Sequence, residues 1–382
     1  MINPKPPQGS GQLQATNLQL QGGAAIVAPV TAFPSGVPGN ALIVLPLSKP
    51  GDELTEKLKQ GPVAVNAEQM WKLLGFNGPA VQVMDAEGRP IAIGLEDLLT
   101  GLEKHWQENK DDLNRGRLFA QELMRHGRHE KAEKVLSKVV ANGGGGEDWL
   151  GLGLAQLNQQ KWDQAEGTLK GAANLLPDSP FPALHLARVY KGKQDSTEER
   201  AAAEQAIHVD PNCVDAWGYL FSHIKDQDGE EAAVRVVTEL AEAQPNKKSA
   251  APYVALQGFY AGEEKTRDRA IEFARQAVDR NDKDPLALVC LSALHGQKGD
   301  LKAVVELLRP AEPLMARDVR LANNYFEALF QMRDIERVTK LLNALAGSQN
   351  REVKQFAIER SRAVAQFLQK QQAELAKTGR QQ

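Results

Sequence analysis

The sequence predicts a mainly α chain of repeated helix–turn–helix units, preceded by a small domain of different pattern and closed by an amphipathic helix. Three observations carry this reading. Pro177, Pro211 and Pro245 are spaced 34 residues apart, and Trp149 and Trp217 stand two such periods apart. Small and large apolar side chains return at matching places within each period. Beyond about residue 94 no strand-like stretch returns. A period of roughly 20–50 residues marks stacked units that bury one continuous core.

Composition narrows the function classes. The chain has 382 residues, 42% hydrophobic and 25% charged, with a formal net charge of −3. That is the make-up of a globular protein, with no overall pull toward nucleic acid or anionic membrane. Cys213 and Cys290 are far apart and read as two small apolar core residues rather than a disulfide framework, which fits a reducing compartment. The opening MINPKPPQGSGQ lacks a basic segment followed by an apolar core. Ala24 to Leu47 is broken by Pro29, Pro34, Pro38 and Pro46, so it is not a membrane-spanning helix. The expectation is a cytoplasmic protein with no inserted membrane segment.

Residues 1–11 are expected to be a disordered tail. Residues 12–100 are expected to form a small α/β or β-rich domain of unassigned role. Ala24–Val27, Ala41–Leu45, Val63–Val65, Val81–Met84 and Ile91–Ile93 are strand-like, and Asp85 to Pro90 reads as a hairpin loop. Two helices are expected among them: Asp52–Lys59, and Ala67–Leu74 after Asn66 as N-cap.

Residues 101–349 follow the helical period. The clearest unit is WLGLGLAQLNQQKWDQAEGTLKGAANLLP at 149–177. Trp149 is a bulky knob on its first helix. Gly153 and Ala165 are small, letting two helices approach. Leu169 fills the seam to the next unit, and Pro177 stops the second helix because it has no N–H to donate. Trp149, Leu152 and Gly153 in W-x2-L-G spacing, with Ala165, Leu169 and Pro177 after them, resemble the tetratricopeptide repeat. The resemblance covers roughly residues 110–350. It implies a right-handed α-solenoid of about seven helix–turn–helix repeats.

The other repeats follow the same frame. The first, from Gly116 to Asn142, carries Phe119, Ala120, Leu123, Ala132 and Leu136. Gly143 to Gly146 cannot hold a helix and read as a hinge or loose C-cap. The third carries Ala183, Leu186, Ala187, Tyr190, Ala203 and Ala206; the fourth Trp217, Leu220, Phe221, Ile224, Ala233 and Val237. The fifth centres on Ala270, Ala274 and Ala277 after an insertion around Lys247 to Pro252. The sixth has Leu291, Leu294, Ala303 and Leu307, with Pro310 expected to end its second helix early. The seventh has Phe326, Leu329, Val338 and Leu342. Residues 350–377 are expected to form a capping helix, with Val353, Phe356, Val364, Phe367, Leu368 and Leu375 on one face.

No catalytic constellation is present: no G-x-S-x-G, no H-E-x-x-H, no phosphate loop and no cysteine cluster. His126 and His129 sit in a turn, and two ligands alone rarely hold a structural metal. No cofactor or metal is expected, and no enzymatic activity. Asn66 to Phe76 has the look of a short DNA-reading helix. Up to residue 110, however, ten acidic side chains face eight basic ones, so nucleic acid is not an expected partner.

The expected function is a scaffold or adaptor that binds a peptide segment of another protein in a concave groove. The resemblance implies a groove lined by first-helix positions pointing away from the packing seam. Carried over by position, these are Leu150, Leu154 and Leu157; Leu184, Arg188 and Lys191; Gly218, Ser222 and Lys225; Leu288, Ser292 and His295; Asn323, Glu327 and Phe330. Of these, Leu184, Arg188, Lys191, Ser222, Lys225, Ser292, His295 and Asn323 are the expected partner-binding residues. Arg188, Lys191 and Lys225 would form a cationic strip for an acidic segment. The apolar stripe of Leu150, Leu154 and Leu157 reads either as a surface covered by a partner helix, a second copy or the N-terminal domain, or as core. The paired Lys and Asn clamp of chaperone-tail-binding family members is not reproduced. The alternatives are an enzyme or small-ligand sensor in the N-terminal domain with the repeats as adaptor, and a peptide-responsive regulator.

Overall fold

A computed structural model of the chain describes residues 24–30, 41–46, 82–85, 90–91, 95–243 and 245–378. The expected tail 1–11, the helices Asp52–Lys59 and Ala67–Leu74, the strand Val63–Val65, the stretch Asn66 to Phe76 and the loop 86–89 lie outside the described residues. Side chains before Leu99 and from Ala373 on, Leu375 included, lie outside them as well. The chain divides into two compact units, Met1–Asp210 and Pro211–Gln382.

In the first unit, β1 (Ala24–Val30), β2 (Ala41–Pro46), β3 (Gln82–Asp85) and β4 (Pro90–Ile91) form an antiparallel sheet in the order β2-β1-β3-β4. Ile26 stands opposite Leu45 on one side and Val83 on the other. Helices follow: α1 (Leu95–Glu108), α2 (Leu113–Arg125), α3 (His129–Ala141), α4 (Gly146–Asn158), α5 (Trp162–Leu175), α6 (Phe181–Lys193) and α7 (Ser196–Val209). From α2 on, successive helices pack as hairpins, and the second helix of each packs on the first of the next.

The fit of α4 to α5 shows what the small residues do. A Cβ placed on Gly153 would sit 2.6 Å from Leu169 Cγ, inside van der Waals contact. Leu169 also joins Leu186, Val189 and Tyr190 of the next hairpin in one buried cluster, so one side chain ties two units together. Trp149 lies against Gly171 in the same way. Pro177 falls just after the α5 cap Leu176, and Pro211 just after the α7 cap Asp210.

α1 spans the boundary expected at residue 100. Its Leu99, Leu102 and Trp106 belong to the core of the first hairpin with Phe119, Leu123 and Val139. The glycine run is not a hinge. Gly143, at φ 90°, closes α3, the Gly144 N–H bonds Val139 O at 2.9 Å, and Gly145 is the N-cap of α4, which already includes Gly146. Only the first glycine needs the left-handed region.

At that same helix start, burial, followed by the neighbouring Asp148 carboxylate, raises the Glu147 carboxyl from 4.5 to about 7. Between those values the folded chain holds a proton that the unfolded chain has lost. This group's contribution is therefore fully present below 4.5 and declines as pH rises through 7. Glu147→Gln should remove that decline. The variant is expected to be more stable than the parent at pH 8 by on the order of 1 kcal/mol, discounted for the part of the side chain that meets solvent. Urea unfolding at pH 5 and pH 8 measures it, with a smaller gain expected at pH 5.

The second unit contains α8 (Val214–Asp228), α9 (Glu230–Glu242), α10 (Ala251–Tyr260), α11 (Arg267–Arg280), α12 (Pro285–Gln297), α13 (Leu301–Leu308), α14 (Glu312–Met315), α15 (Val319–Gln331), α16 (Ile335–Ala346) and α17 (Arg351–Thr378). The pairs α8–α9, α10–α11, α12–α13 and α15–α16 pack as hairpins, and α17 packs on α16. α13 stops at Leu308, and Pro310 lies in a following 3-10 turn. The register there differs from expectation by one residue: Val304 and Leu308 are buried, whereas Ala303 and Leu307 are only half-buried. Val304 and Leu308 stand four and eight residues after the N-cap Asp300, as Val338 and Leu342 do after Asp334, so α13 keeps the regular frame and the expectation was set one residue too early.

Candidate functional site

The expected contact positions fall into three groups. Several are buried. Leu184 is 2% exposed and Ser292 1% exposed, so neither presents a side chain to a partner, which corrects the expectation for both. Leu288 is buried as well. Leu150 belongs to the cluster of Leu169, Leu186 and Tyr190, and Leu154 to the core formed with α1, α2 and α3. The leucine stripe is core. Position along a first helix gives the direction of a side chain but not how far neighbouring helices cover it.

A second group is charged or polar. Arg188 is half-buried and Lys191 exposed on α6, in the first unit. Ser222 is half-buried and Lys225 exposed on α8, in the second. Lys225 Nζ is 3.3 Å from Glu230 Oε2. His295 Nδ1 lies 3.8 Å from Asp300 Oδ2, and burial holds its imidazole below the ordinary value.

The third group converges. Between α12 and α15 the second unit has a cleft of about 240 Å³ lined by Ser292, Ala293, Gly296, Gln297, Leu301, Val304, Asn324, Glu327, Ala328 and Gln331. Leu301, Val304, Ala293 and Ala328 make its apolar floor. Gln297, Asn324, Glu327 and Gln331 are its polar groups. Asn324 Nδ2 donates to Ser292 Oγ at 2.9 Å and to Val289 O at 3.4 Å, and the Ser292 hydroxyl donates onward to Val289 O at 3.1 Å. Both amide hydrogens of Asn324 are thus engaged. Among the described residues nothing donates to its carbonyl oxygen, which is left as an acceptor. Gln297 and Gln331 are exposed.

Glu327 is the one ionisable side chain lining the cleft, and α17 reaches it. Arg360 lies 3.1 Å from Glu327 Oε1, and its Nη2 donates to Asn323 Oδ1 at 3.1 Å. The guanidinium also lies over Phe326 and Phe356, at 5.2 and 5.5 Å from the ring centroids. Phe330 meets Phe367 edge-on at 5.2 Å. Asn323, Glu327 and Phe330, expected to face a partner, are held by the chain's own C-terminal helix. Sequence reasoning passed over Gln297, Asn324 and Gln331. The adjacent Asn323 and Asn324, in the run LANNYFEALF whose only charged residue is Glu327, were the available signal.

A larger cavity of about 760 Å³ lies on the second-helix side, lined by Arg309, Pro310, Glu312, Tyr325, Arg337 and Lys340 among others. Its charges are largely spent: Tyr325 donates to Glu312 at 2.9 Å, Arg337 pairs with Asp334 at 3.0 Å and Lys340 with Glu336 at 2.6 Å. The smaller cleft keeps more hydrogen-bonding capacity.

Small-to-large contacts between paired helices, returning with proline-ended second helices, decide the repeat type. The hairpins are tetratricopeptide-like. No family model matches the chain, and no curated relative does. Solved structures similar to it include yeast Tom70, at 14% identity over 72% of this chain and 59% of Tom70, with a TM-score of 0.40. A structure of MamA is similar at 18% identity over 40% of this chain and 90% of its own, with a TM-score of 0.35. YrrB, described as a tetratricopeptide protein with an unusual peptide-binding site, is similar at 18% identity over 52% of this chain and 99% of its own, with a TM-score of 0.31. The chain spans less than two thirds of Tom70. The repeat assignment rests on the hairpin packing rather than on these likenesses. Among the described residues no helix is long and apolar enough to cross a membrane.

Proposed function

We propose that the protein is a non-enzymatic interaction scaffold whose tetratricopeptide-like second unit binds an extended segment of another polypeptide in the cleft between α12 and α15. The observation that carries this is the pairing of an apolar floor with carboxamides whose hydrogen-bonding capacity is not used up, Asn324 with its open carbonyl and the exposed Gln297 and Gln331. An extended chain offers alternating N–H and C=O groups, and carboxamides match both. The floor accepts one apolar side chain. The strip of Arg188, Lys191 and Lys225 does not carry the proposal, because Lys225 is already paired with Glu230.

Selection of a displayed random decapeptide library on the full chain tests this. Binders are expected, and their affinity should fall about tenfold in the Gln297→Ala/Gln331→Ala variant, each lost hydrogen bond contributing roughly 0.5–1.5 kcal/mol. Both side chains are exposed, so the variant should keep the parent melting temperature. Binders indifferent to these two substitutions would place recognition elsewhere.

A further inference from the structure

The cleft already has a cationic neighbour. Glu327 on its wall is paired at 3.1 Å with Arg360, which α17 carries across from beyond the last hairpin. Both side chains of the pair are 39% exposed. An ion pair open to water to that degree contributes little net stability and exchanges readily with a competing charge. Arg360 has further holds, on Asn323 Oδ1 and on the rings of Phe326 and Phe356, so its release leaves two acceptors and an aromatic face open beside the cleft. Carboxylate, carboxamide oxygen and aromatic face together form a receptor for a guanidinium.

We propose that Arg360 is a built-in surrogate for the ligand: the cleft recognises a polypeptide segment bearing an arginine or lysine, whose cation takes the place of Arg360 on Glu327. This rests on the reading of the cleft as a peptide site and adds the partner's charge and its competitor. α17 then sets the apparent affinity, because the binding-competent state is the fraction in which Arg360 has left Glu327. The partner class is the opposite of the one the cationic strip suggested.

The test repeats the decapeptide selection on three full-length proteins: the parent, Arg360→Ala and Glu327→Lys. On the parent and on Arg360→Ala, arginine or lysine should be enriched at one fixed position, and a given peptide should bind Arg360→Ala about tenfold more tightly as its competitor is removed. On Glu327→Lys the same position should turn to aspartate or glutamate. Glu327→Gln, a milder change, should abolish the charge preference and serves if Glu327→Lys melts early. Peptides that bind the cleft with no charge preference, or with affinity unmoved by Arg360→Ala, would overturn the inference while leaving the peptide site standing. A selection that yields no binder on any of the three proteins would overturn both.

Discussion

Trp217→Ala is expected to lower the stability of the second unit by about 3–5 kcal/mol, the range for removing a large aromatic from a closed core. Trp217 is fully buried, as are Leu220 and Phe221 on its own helix and Ala233 and Val237 on α9. Its Nε1–H donates to Pro211 O at 2.9 Å. That carbonyl also accepts from Ser249 Oγ at 2.7 Å, so it keeps a partner when the indole is gone. The loss is therefore mainly the cavity and the forfeited contacts, with the hydrogen bond a smaller part. Trp217→Phe, which keeps most of the volume, should lose less than half as much. Urea unfolding of the three proteins measures the series, and equal losses for Ala and Phe would assign the effect to the hydrogen bond instead.

The second large effect lies in the first unit. Arg117 and Asp148 are 31 residues apart in sequence and meet in a buried two-pronged pair: Nε donates to Oδ1 at 2.8 Å and Nη2 to Oδ2 at 2.6 Å. Both side chains are under one tenth exposed. Asp148 Oδ2 also accepts the Gly145 N–H at 2.8 Å, closing the start of α4. Asp148→Ala strips Arg117 of its bidentate carboxylate and removes the cap as well. The expected loss is about 3–5 kcal/mol. Replacing both partners by leucine should recover much of it, because taking the carboxylate from a buried guanidinium costs more than the intact pair contributes over an apolar replacement. A double-mutant cycle by chemical unfolding checks this, and a double variant no better than Asp148→Ala would assign the loss to the cap.

Neither effect was equally visible in the sequence. Trp217 was legible because it returns two periods after Trp149, and a repeated large residue on a helix must be filling a seam. Gly153 facing Leu169 was legible for the same reason. The Arg117–Asp148 pair was not: nothing in the local pattern around either residue points to the other, and only the nesting of α2 against α4 brings them together. Ala303 and Leu307 were misplaced by one position because the small Ala303 stands next to the seam position, whereas the cap at Asp300 sets the helix start and puts Val304 and Leu308 inward. Leu184 and Ser292 were read as open because their direction was known and their coverage was not. In the cleft, Glu327 lay among the expected positions, while Asn324, one residue past Asn323, was not among them. The competing role of Arg360 needed the path of α17.

The most direct measurement on the central claim places a photo-cross-linking side chain at Gln331, on the cleft wall, and separately at Thr339, exposed on α16 away from it. With a selected decapeptide bound to the full chain, the account predicts efficient cross-linking from position 331, suppressed by excess unlabelled peptide, and none above background from position 339. Equal yields from the two positions, or a yield at 331 that excess peptide leaves unchanged, would contradict it.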